Sequence, residues 1–204
     1  MSNATEILDV LDWLTGQPTG STVTRKMAHL QGIPHKAVHL WVYTQIQGRW
    51  VLLFQQRSFE KKNFPGLFGP TVGGHVTSGE GEESLVREAQ EEVGLDIELH
   101  QMEKLGYNPY HFSLPGGYED FEWIEDWRTV SDLPLDRYRF LDGEVIGMLA
   151  IELDRLIQLQ YEPQKALFFS GSNQEERLVS AEQFVDGMFE SPLFAELSHP
   201  QNWP

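Results

Sequence analysis

The hydrophobic residues of the chain fall into short runs that polar and glycine-containing segments interrupt. Residues 37–46 (AVHLWVYTQI) and 50–57 (WVLLFQQR) are rich in β-branched and aromatic side chains, and Gly48 lies between them. Two such runs joined by a short glycine-containing turn predict a β-hairpin. Residues 6–13 (EILDVLDW) alternate between hydrophobic and polar positions and end before Gly16, which predicts a further short strand.

A helical period follows in residues 82–93. Leu85, Ala89 and Val93 recur at every fourth position, which places them on one face of a helix. Acidic residues crowd the first turn, where they interact favourably with the helix dipole, and Gly94 stands where a glycine commonly ends a helix. The pattern predicts a helix with one apolar face and one charged face.

The remaining runs predict a mixture of strands and helices. After a loop over 58–70, we expect strands over 95–107 and 118–127, a strand leading into a helix over 144–159, and a terminal helix over 180–189 that Ser180 caps. This order of elements predicts the α/β (α+β) class. We expect one domain over residues 1–160, with a helical extension over 161–204 packed on the same domain.

Charge and composition narrow the classes of function. The 204 residues carry a formal net charge of -16, and such a surface repels phosphate backbones, so we expect no nucleic-acid partner. No apolar run approaches the roughly 20 residues that span a bilayer, so we expect no membrane partner. The sequence has no cysteine, which excludes disulfides and thiolate chemistry and fits a cytoplasmic location.

Carboxylates are concentrated on the predicted helix. Glu88 lies three residues before Glu91 and four before Glu92, so all three side chains share one face. Like charges at this spacing destabilise a helix by about 0.2–0.5 kcal/mol per pair, and a hard cation such as Mg²⁺ removes that repulsion. A solvated acidic face is the alternative. The pair Gly73-Gly74 favours a metal site, because glycines let the backbone approach a ligand closely and adopt positive φ.

The same segment resembles the Nudix box of the Nudix hydrolase superfamily. The resemblance rests on Gly74, five further residues, Glu80, and the run Arg87-Glu88-Ala89-Gln90-Glu91-Glu92-Val93-Gly94-Leu95. The box is one residue shorter than the family pattern, because six residues rather than seven separate Glu80 from Arg87. The shortening leaves open where the helix starts, and whether Arg87 pairs with Glu80 or instead with Glu82 or Glu83.

This resemblance implies a Nudix-type α/β/α sandwich with a mixed central sheet and a bound Mg²⁺ or Mn²⁺. Matched to the box, Glu88, Glu91 and Glu92 are the implied metal ligands, Glu88 holds metal or activates water, and the carbonyl of Gly73 is a further ligand. Arg87 belongs to the catalytic set as the anchor of a carboxylate. Gly74 and His75, in the adjoining loop, are candidate contacts to the substrate.

Beyond the box, the chain resembles the group of the superfamily related to isopentenyl diphosphate isomerase. The resemblance covers residues 6–160, and the segments that carry it are EILDVLD with the following GQPTG, RKMAHLQGIPHKAVHLWV, LLFQQRS, FPGLFGPTVGGH and DGEV. In that isomerase, histidines ligate a metal, and the matching residues here are His29, His35 and His75. An acidic ligand on a later strand matches Glu119 or Glu122. For His29 and His35 the alternative is that they are ordinary surface histidines, and for His75 the alternative is a hydrogen bond to the phosphate or to a carboxylate instead of a bond to the metal.

Residues outside the box are candidate contacts to the substrate. Arg57, Lys61 and Lys62 form a basic group suited to phosphates, with solubilising loop charge as the alternative. Glu144 is similar to a glutamate that related hydrolases place near the metal as base or ligand, with an exposed loop acid as the alternative. We expect one or two of five aromatic residues to line a pocket: Trp41, Tyr43, Phe59, Phe64 and Phe68.

We therefore expect a metal-dependent hydrolase that cleaves a phosphoanhydride bond in a small-molecule diphosphate, such as a nucleoside diphosphate linked to another moiety. An isopentenyl diphosphate isomerase-like activity is one alternative, but the catalytic cysteine of that isomerase matches Gly73 here. A Nudix-fold module that binds its ligand without turnover is the other. Residues 161–204 cap the pocket or form a homodimer interface, and the sequence leaves both open.

Overall fold

The predicted hairpin lies at the centre of a large mixed sheet. The structure, a computed structural model, describes residues 6–114, 116–141 and 143–199. Its elements are β1 (Ile7–Leu11), β2 (Pro18–Thr24), α1 (Arg25–Gln31), β3 (His35–Ile46), β4 (Arg49–Arg57), β5 (Phe68–Gly69), β6 (Val72–His75), α2 (Glu83–Val93), β7 (Glu103–Leu114), β8 (Tyr118–Val130), β9 (Val145–Glu152), α3 (Leu153–Gln158), β10 (Gln164–Ser170), β11 (Asn173–Val179) and α4 (Pro192–Ser198).

The strand order places β3 between two different kinds of neighbour. The sheet runs β11-β10-β9-β4-β3-β8-β7, with β5 beside β4 and β6 beside β3, while β1 and β2 form a separate ribbon. β3 pairs in parallel with β8 and antiparallel with β4 and β6. A mixed sheet carrying helices confirms the predicted α/β (α+β) class.

Alternate residues of β3 serve the two faces of the sheet. Val38, Leu40 and Val42 are buried in one core together with the apolar stripe of α2. Trp41 and Tyr43 are buried in a second core, which contains residues of α3 and α4. The strand β3 therefore packs against α2 with one face and against the C-terminal helices with the other.

The box helix α2 follows the predicted period. Its stripe of Leu85, Ala89 and Val93 is fully buried, and burial of a leucine or valine side chain contributes about 1.5–3 kcal/mol. Gly94 ends the helix in the left-handed region at φ 66°. The helix begins at Glu83, one residue after the predicted start.

Two predicted elements were wrong in extent. The strand predicted over 95–107 begins only at Glu103, because Leu99–Gln101 forms a 3-10 turn that reciprocal hydrogen bonds of Glu98 and Gln101 cap. The helix predicted over 180–189 is a single 3-10 turn, Ala181–Gln183, although Ser180 caps it as predicted. The last helix, α4, starts instead at Pro192, a residue that favours the first helical turn.

The extension predicted over 161–204 is not mainly helical. β10 and β11 form a hairpin that continues the large sheet beyond β9, and only α4 and the 3-10 turn follow. The run Leu167-Phe168-Phe169 suits a strand better than a helix, because aromatic residues pack well on a pleated surface. The domain boundary at residue 160 stays a prediction, and residues 1–5 and 200–204 lie outside the described residues.

A short helix in the polar segment before β3 was missed. Thr24 caps α1 by accepting a hydrogen bond from the Met27 N–H at 3.3 Å, and Gly32 ends it in the left-handed conformation. Only Ala28 of this helix is buried, so its apolar stripe is too narrow to be seen as a period. Among the described residues, no helix has the length and apolar character needed to cross a membrane.

Candidate active site

Arg87 holds the carboxylates of the box in place. Its guanidinium donates two hydrogen bonds to the carboxylate of Glu80, both at 2.9 Å, a bidentate geometry that is strong for arginine and carboxylate. These bonds lower the pKa of Glu80. The question left open by the shortened box is therefore answered, because Arg87 pairs with Glu80 despite the missing residue.

The same guanidinium also reaches two glutamates of the helix, the largely buried Glu88 and the more exposed Glu91. Nη1 of Arg87 lies 2.8 Å from Glu88 and 3.2 Å from Glu91. Burial raises the pKa of Glu88 to about 7, whereas the side chain of Glu91 is about half exposed. A cationic group in the middle of the acidic face reduces the repulsion between these carboxylates.

Glu92 is the most buried carboxylate of the box. Its Oε2 accepts hydrogen bonds from the backbone N–H of Gly73 at 2.9 Å and from Nε2 of Gln55 at 3.1 Å, and the residue is 3% exposed. Burying a charged carboxylate costs free energy unless hydrogen-bond donors such as these compensate for the lost water. Gln55, which no sequence pattern indicated, thus belongs to the site.

Gly73 and Gly74 lack the predicted positive φ, and the predicted close approach of their backbone to a ligand stays a prediction. Both lie in β6 as ordinary extended residues. A Cβ added at Gly74 would lie 2.1 Å from Cδ of Glu88, so glycine is needed there to admit the carboxyl group. Since the N–H of Gly73 points to Glu92, its carbonyl lies on the same edge of β6, and its role as a metal ligand stays a prediction.

A second group of ligand-type side chains lies beside the box. His29, His35, His75 and Glu122 each place one nitrogen or oxygen atom within 4.8 Å of the others, so that the group could hold a metal ion. They come from α1, β3, β6 and β8, respectively. Nε2 of His75 lies 3.2 Å from both Nε2 of His29 and a carboxylate oxygen of Glu122.

The protonation of these imidazole rings suits the binding of a cation. Burial lowers the pKa of His29 to about 4 and the pKa of His75 well below its usual value, so both are neutral at pH 7, as metal ligands must be. Nδ1 of His35 lies 2.9 Å from the carbonyl of Ile33, which keeps the proton on Nδ1 and leaves a lone pair on Nε2. That buried Nε2 has no hydrogen-bond partner within the described ranges.

The alternation of β8 decides which acidic residues join this group. Glu122 belongs to it, whereas the alternative Glu119 is wrong, because Glu119 points outward and bonds to His111 at 2.6 Å and Ser113 at 3.0 Å. Asp120, two residues before Glu122, shares its face and lies 3.5 Å from His29. Burial, and then the nearby charge of Glu122, raises the pKa of Asp120 to about 8. Counting by twos along the strand from Glu122 would have selected Asp120.

A cavity of about 130 Å³ lies beside both groups: His29, His75 and Glu122 line it, whereas its lining includes none of Glu88, Glu91 and Glu92. Gln55, Gly73, Gly74 and His75 line it from the side of the box. The opposite wall consists of aromatic residues and of residues 184–198, which we call the C-terminal segment, and includes Phe64, Phe112, Tyr110, Met188 and Phe194. The hydroxyl of Tyr43 holds this segment by donating a hydrogen bond to the carbonyl of Leu197 at 2.9 Å.

Only two of the three predicted basic residues lie at the cavity. Arg57 and Lys61 line the cavity, and Arg25, which was missed, joins them from the start of α1. Lys62 does not line it and instead lies 5.5 Å from the ring centre of Tyr118, so its contact with the substrate stays a prediction. Glu144 forms an ion pair with Lys61, and its role as base or metal ligand also stays a prediction.

Two of the five selected aromatic residues line the cavity, as predicted. They are Trp41 and Phe64. Tyr43 and Phe68 belong to the core, whereas Phe59 is 72% exposed. Trp41 also belongs to the second core, so it combines a core role with a place at the cavity, whereas Phe64 lines the cavity from the loop between β4 and β5.

Known proteins resemble this chain over most of its length. A family model described as the NUDIX domain matches residues 33–170. An uncharacterized Nudix hydrolase of Clostridium acetobutylicum is 30% identical over 177 residues, which are 84% of this chain and 83% of that protein. An isopentenyl-diphosphate Delta-isomerase of Serratia proteamaculans is 33% identical over 101 residues, which are 49% of this chain and 53% of that enzyme.

A solved structure shows the same fold. The crystal structure of a MutT/nudix family protein from Enterococcus faecalis is similar with a TM-score of 0.50 at 16% identity, over 72% of this chain and 55% of that chain. Because the family model matches well over half of the chain and the clostridial relative spans most of both proteins, the chain belongs to the NUDIX domain family and is an enzyme of the Nudix hydrolase type.

Proposed function

We propose that this enzyme hydrolyses a phosphoanhydride bond in a small-molecule diphosphate with the help of Mg²⁺ or Mn²⁺. The observation that carries the proposal is the arrangement of Glu88 and Glu91 around Arg87 and of Glu92 on the N–H of Gly73, because Gly73 lines a cavity that Arg25 and Arg57 also line. Carboxylate oxygens are the ligands that Mg²⁺ prefers. The nucleoside diphosphate linked to another moiety that the sequence suggested remains one substrate class within this proposal.

Each group has a separate task in the proposed reaction. The three box glutamates would hold Mg²⁺ or Mn²⁺, which when bound would neutralise the charge of the diphosphate and polarise the phosphorus centre. Arg57 and Lys61 contact phosphate oxygens, and Arg25 extends this cationic side of the cavity. Gly73 and Gly74 keep the backbone close to the box glutamates, and the wall of the C-terminal segment holds the remainder of the substrate.

The direct test replaces Glu92 by glutamine. Glu92→Gln keeps the shape of the side chain but removes its charge, so we expect kcat on the hydrolysed members of a diphosphate panel to fall by roughly 100-fold, which is about 2.7 kcal/mol. Rates are measured with Mg²⁺ and with Mn²⁺, and Glu162→Gln, on the surface, is the matched control. Equal rates for wild type and Glu92→Gln would remove the proposed role of Glu92.

One observation favours a second candidate function. The group of His29, His35, His75 and Glu122 forms where the resemblance to isopentenyl diphosphate isomerase implied a metal site. An isomerase-like activity would appear as exchange of solvent deuterium into isopentenyl diphosphate. The position of the isomerase's cysteine is Gly73 here, so we expect no exchange. Tight diphosphate binding with neither exchange nor hydrolysis would support the binding-module alternative.

A further inference from the structure

Phe64 lines the cavity from a backbone conformation that large residues rarely adopt. Its φ is 52°, in the left-handed region, and the next residue is Pro65. A bulky residue at positive φ is an outlier, and a following proline further disfavours helical backbone at the residue before it. Such conformations cost free energy and persist only where their surroundings enforce them, which is common at functional sites. The conformation of Phe64 therefore indicates a role for its ring in the cavity.

Side chains of β4 hold the loop that carries Phe64. Nε of Arg57 donates a hydrogen bond to the carbonyl of Asn63 at 3.1 Å, and Nε2 of Gln56 donates one to the carbonyl of Gly66 at 3.0 Å. These bonds fix the backbone on both sides of Phe64. Arg57 is also a proposed phosphate contact, so the same side chain ties the phosphate end of the cavity to the position of the ring.

The ring of Phe64 belongs to an apolar surface. It packs edge-on against Phe112 at 5.2 Å between ring centres, and the ring of Phe112 lies parallel to that of Tyr110 at 5.5 Å. All three rings line the cavity together with Met188 and Phe194 of the C-terminal segment. Phe64 is only partly buried, so some of its surface is available to a ligand.

The polar side chains on this wall offer little to a polar ligand. The hydroxyl of Ser191 accepts a hydrogen bond from the N–H of Leu193 at 3.2 Å and interacts with the side chain of Tyr110. Asp186, which also lines the cavity, is exposed to water. A nucleobase buried against this wall would leave polar atoms without partners, which weakens its binding. A hydrocarbon group has no such atoms, and its burial is favourable.

The loop between β4 and β5 carries both kinds of contact. Lys61 and Phe64 lie three residues apart, and both line the cavity. The ammonium group suits phosphate oxygens, and the ring suits a carbon group attached to the phosphate. We propose that Phe64 is a specificity-determining residue, whose ring selects a diphosphate that carries an apolar group in place of a nucleoside. This inference rests on the proposed hydrolysis.

The first test compares diphosphates that differ only in the attached group. Butyl diphosphate has three more methylene groups than methyl diphosphate, and each buried methylene group is worth about fourfold in affinity. In wild type with Mg²⁺ we therefore expect kcat/KM, measured by phosphate release, to be at least about tenfold higher for butyl diphosphate than for methyl diphosphate. ADP, whose base would lack partners, should be hydrolysed at least about tenfold less efficiently than butyl diphosphate.

Variants at residue 64 test the ring itself. Phe64→Asn removes the ring and introduces a residue that tolerates positive φ, so it should reduce the butyl-to-methyl ratio of kcat/KM at least about fivefold. Phe64→Leu remains apolar and should keep the ratio within about twofold of wild type. Phe59→Asn is the matched control, because Phe59 lies in the same loop but is 72% exposed, and it should keep the wild-type ratio.

The unfolding midpoint separates specificity from a structural effect. Because Phe64→Asn relieves the strained backbone, its midpoint of thermal unfolding should equal or exceed that of wild type. If Phe64→Asn instead lowers the midpoint and leaves the butyl-to-methyl ratio unchanged, the ring serves the fold and the inference is overturned.

Binding distinguishes this inference from the proposed function. The methylenediphosphonate analogues of butyl and methyl diphosphate resist hydrolysis, so isothermal titration gives their affinity ratio even if no substrate is cleaved. This ratio should show the same preference in wild type and the same loss in Phe64→Asn. A butyl preference in binding without any hydrolysis would overturn the hydrolase proposal and leave Phe64 as the determinant of binding. Hydrolysis without a butyl preference, or with ADP as the better substrate, would overturn the inference and leave the hydrolase proposal intact.

Discussion

At the scale of single residues, the site depends on Gly74 having no side chain. The carboxyl carbon of Glu88 occupies the space of a side chain at residue 74, at 2.1 Å from the Cβ position. Gly74 is an extended residue of β6, a backbone conformation that any residue can adopt. Glycine is needed at this position only because a larger side chain would have no room. Arg87 holds that carboxyl group from the other side at 2.8 Å.

Gly74→Ala should therefore act on the metal site. The added methyl group forces Glu88 out of its position, and we expect Mn²⁺ affinity to fall by about 10- to 100-fold, as for the loss of a group that orients a ligand. Isothermal titration measures the affinity. Gly69→Ala is the matched control, because a Cβ there meets only Val185 at an ordinary 3.7 Å. Unchanged Mn²⁺ binding in Gly74→Ala would show that Glu88 does not bind the metal.

Residue patterns predicted the box but only part of the second group. The period of Leu85, Ala89 and Val93 was sufficient for α2, because an amphipathic helix is a local pattern. Glu119 was wrongly offered, because the register of β8 against β3 decides which face of β8 meets His35. Once Glu122 is on that face, the alternation of β8 places the missed Asp120 there too. Such register depends on pairing between distant strands, and a single strand does not specify it.

At the scale of elements, a buried carboxylate ties the start of α2 to three strands. Glu125 on β8 is fully buried and pairs with Lys36 on β3 and Lys104 on β7. Lys104 also donates a hydrogen bond at 3.0 Å to Glu82, just before α2. This chain of contacts sets the position of the box helix on the sheet.

Glu125→Gln should lower stability in a pH-dependent way. Burial acts to raise the pKa of Glu125, but the hydrogen bonds of Lys104 and Lys36 outweigh it, so the pKa lies below its usual value. The ionised group therefore stabilises the fold fully above about pH 4.3, the value in unfolded chains, and loses this effect as the pH falls through the folded pKa. We expect the variant to lose about 2 kcal/mol at pH 7, and the difference to shrink below about pH 4.

Urea unfolding at several pH values between 3 and 8 measures this difference in the free energy of unfolding. Glu60→Gln, at an exposed glutamate, controls for loss of charge in a protein that is already acidic. A difference between wild type and Glu125→Gln that stays constant down to pH 3 would contradict the assigned role of the carboxylate.

At the scale of the whole molecule, the short strand β6 joins two chemically different sites. Gly73 and Gly74 contact the box glutamates, while the next residue, His75, belongs to the imidazole group. The opposite wall of the cavity comes from the C-terminal segment, which lies outside the residues that the family model matches. The sequence did not show this wall, because its contacts with the sheet join residues far apart in the chain, such as Tyr43 and Leu197.

The two sites should be separable by the metals they prefer. Imidazole nitrogen suits transition metals, whereas carboxylate oxygen suits Mg²⁺. After removal of metals with EDTA, Co²⁺ should bind at His29, His35, His75 and Glu122 and give a visible absorption band. His29→Gln should weaken this binding by more than about 100-fold, because loss of an outer-shell partner alone costs about 10- to 100-fold. His100→Gln and Glu92→Gln should both keep the band, the former as a surface control and the latter because it changes only the box. Equal Co²⁺ affinity in wild type and His29→Gln would mean that the imidazole group is held together without a metal.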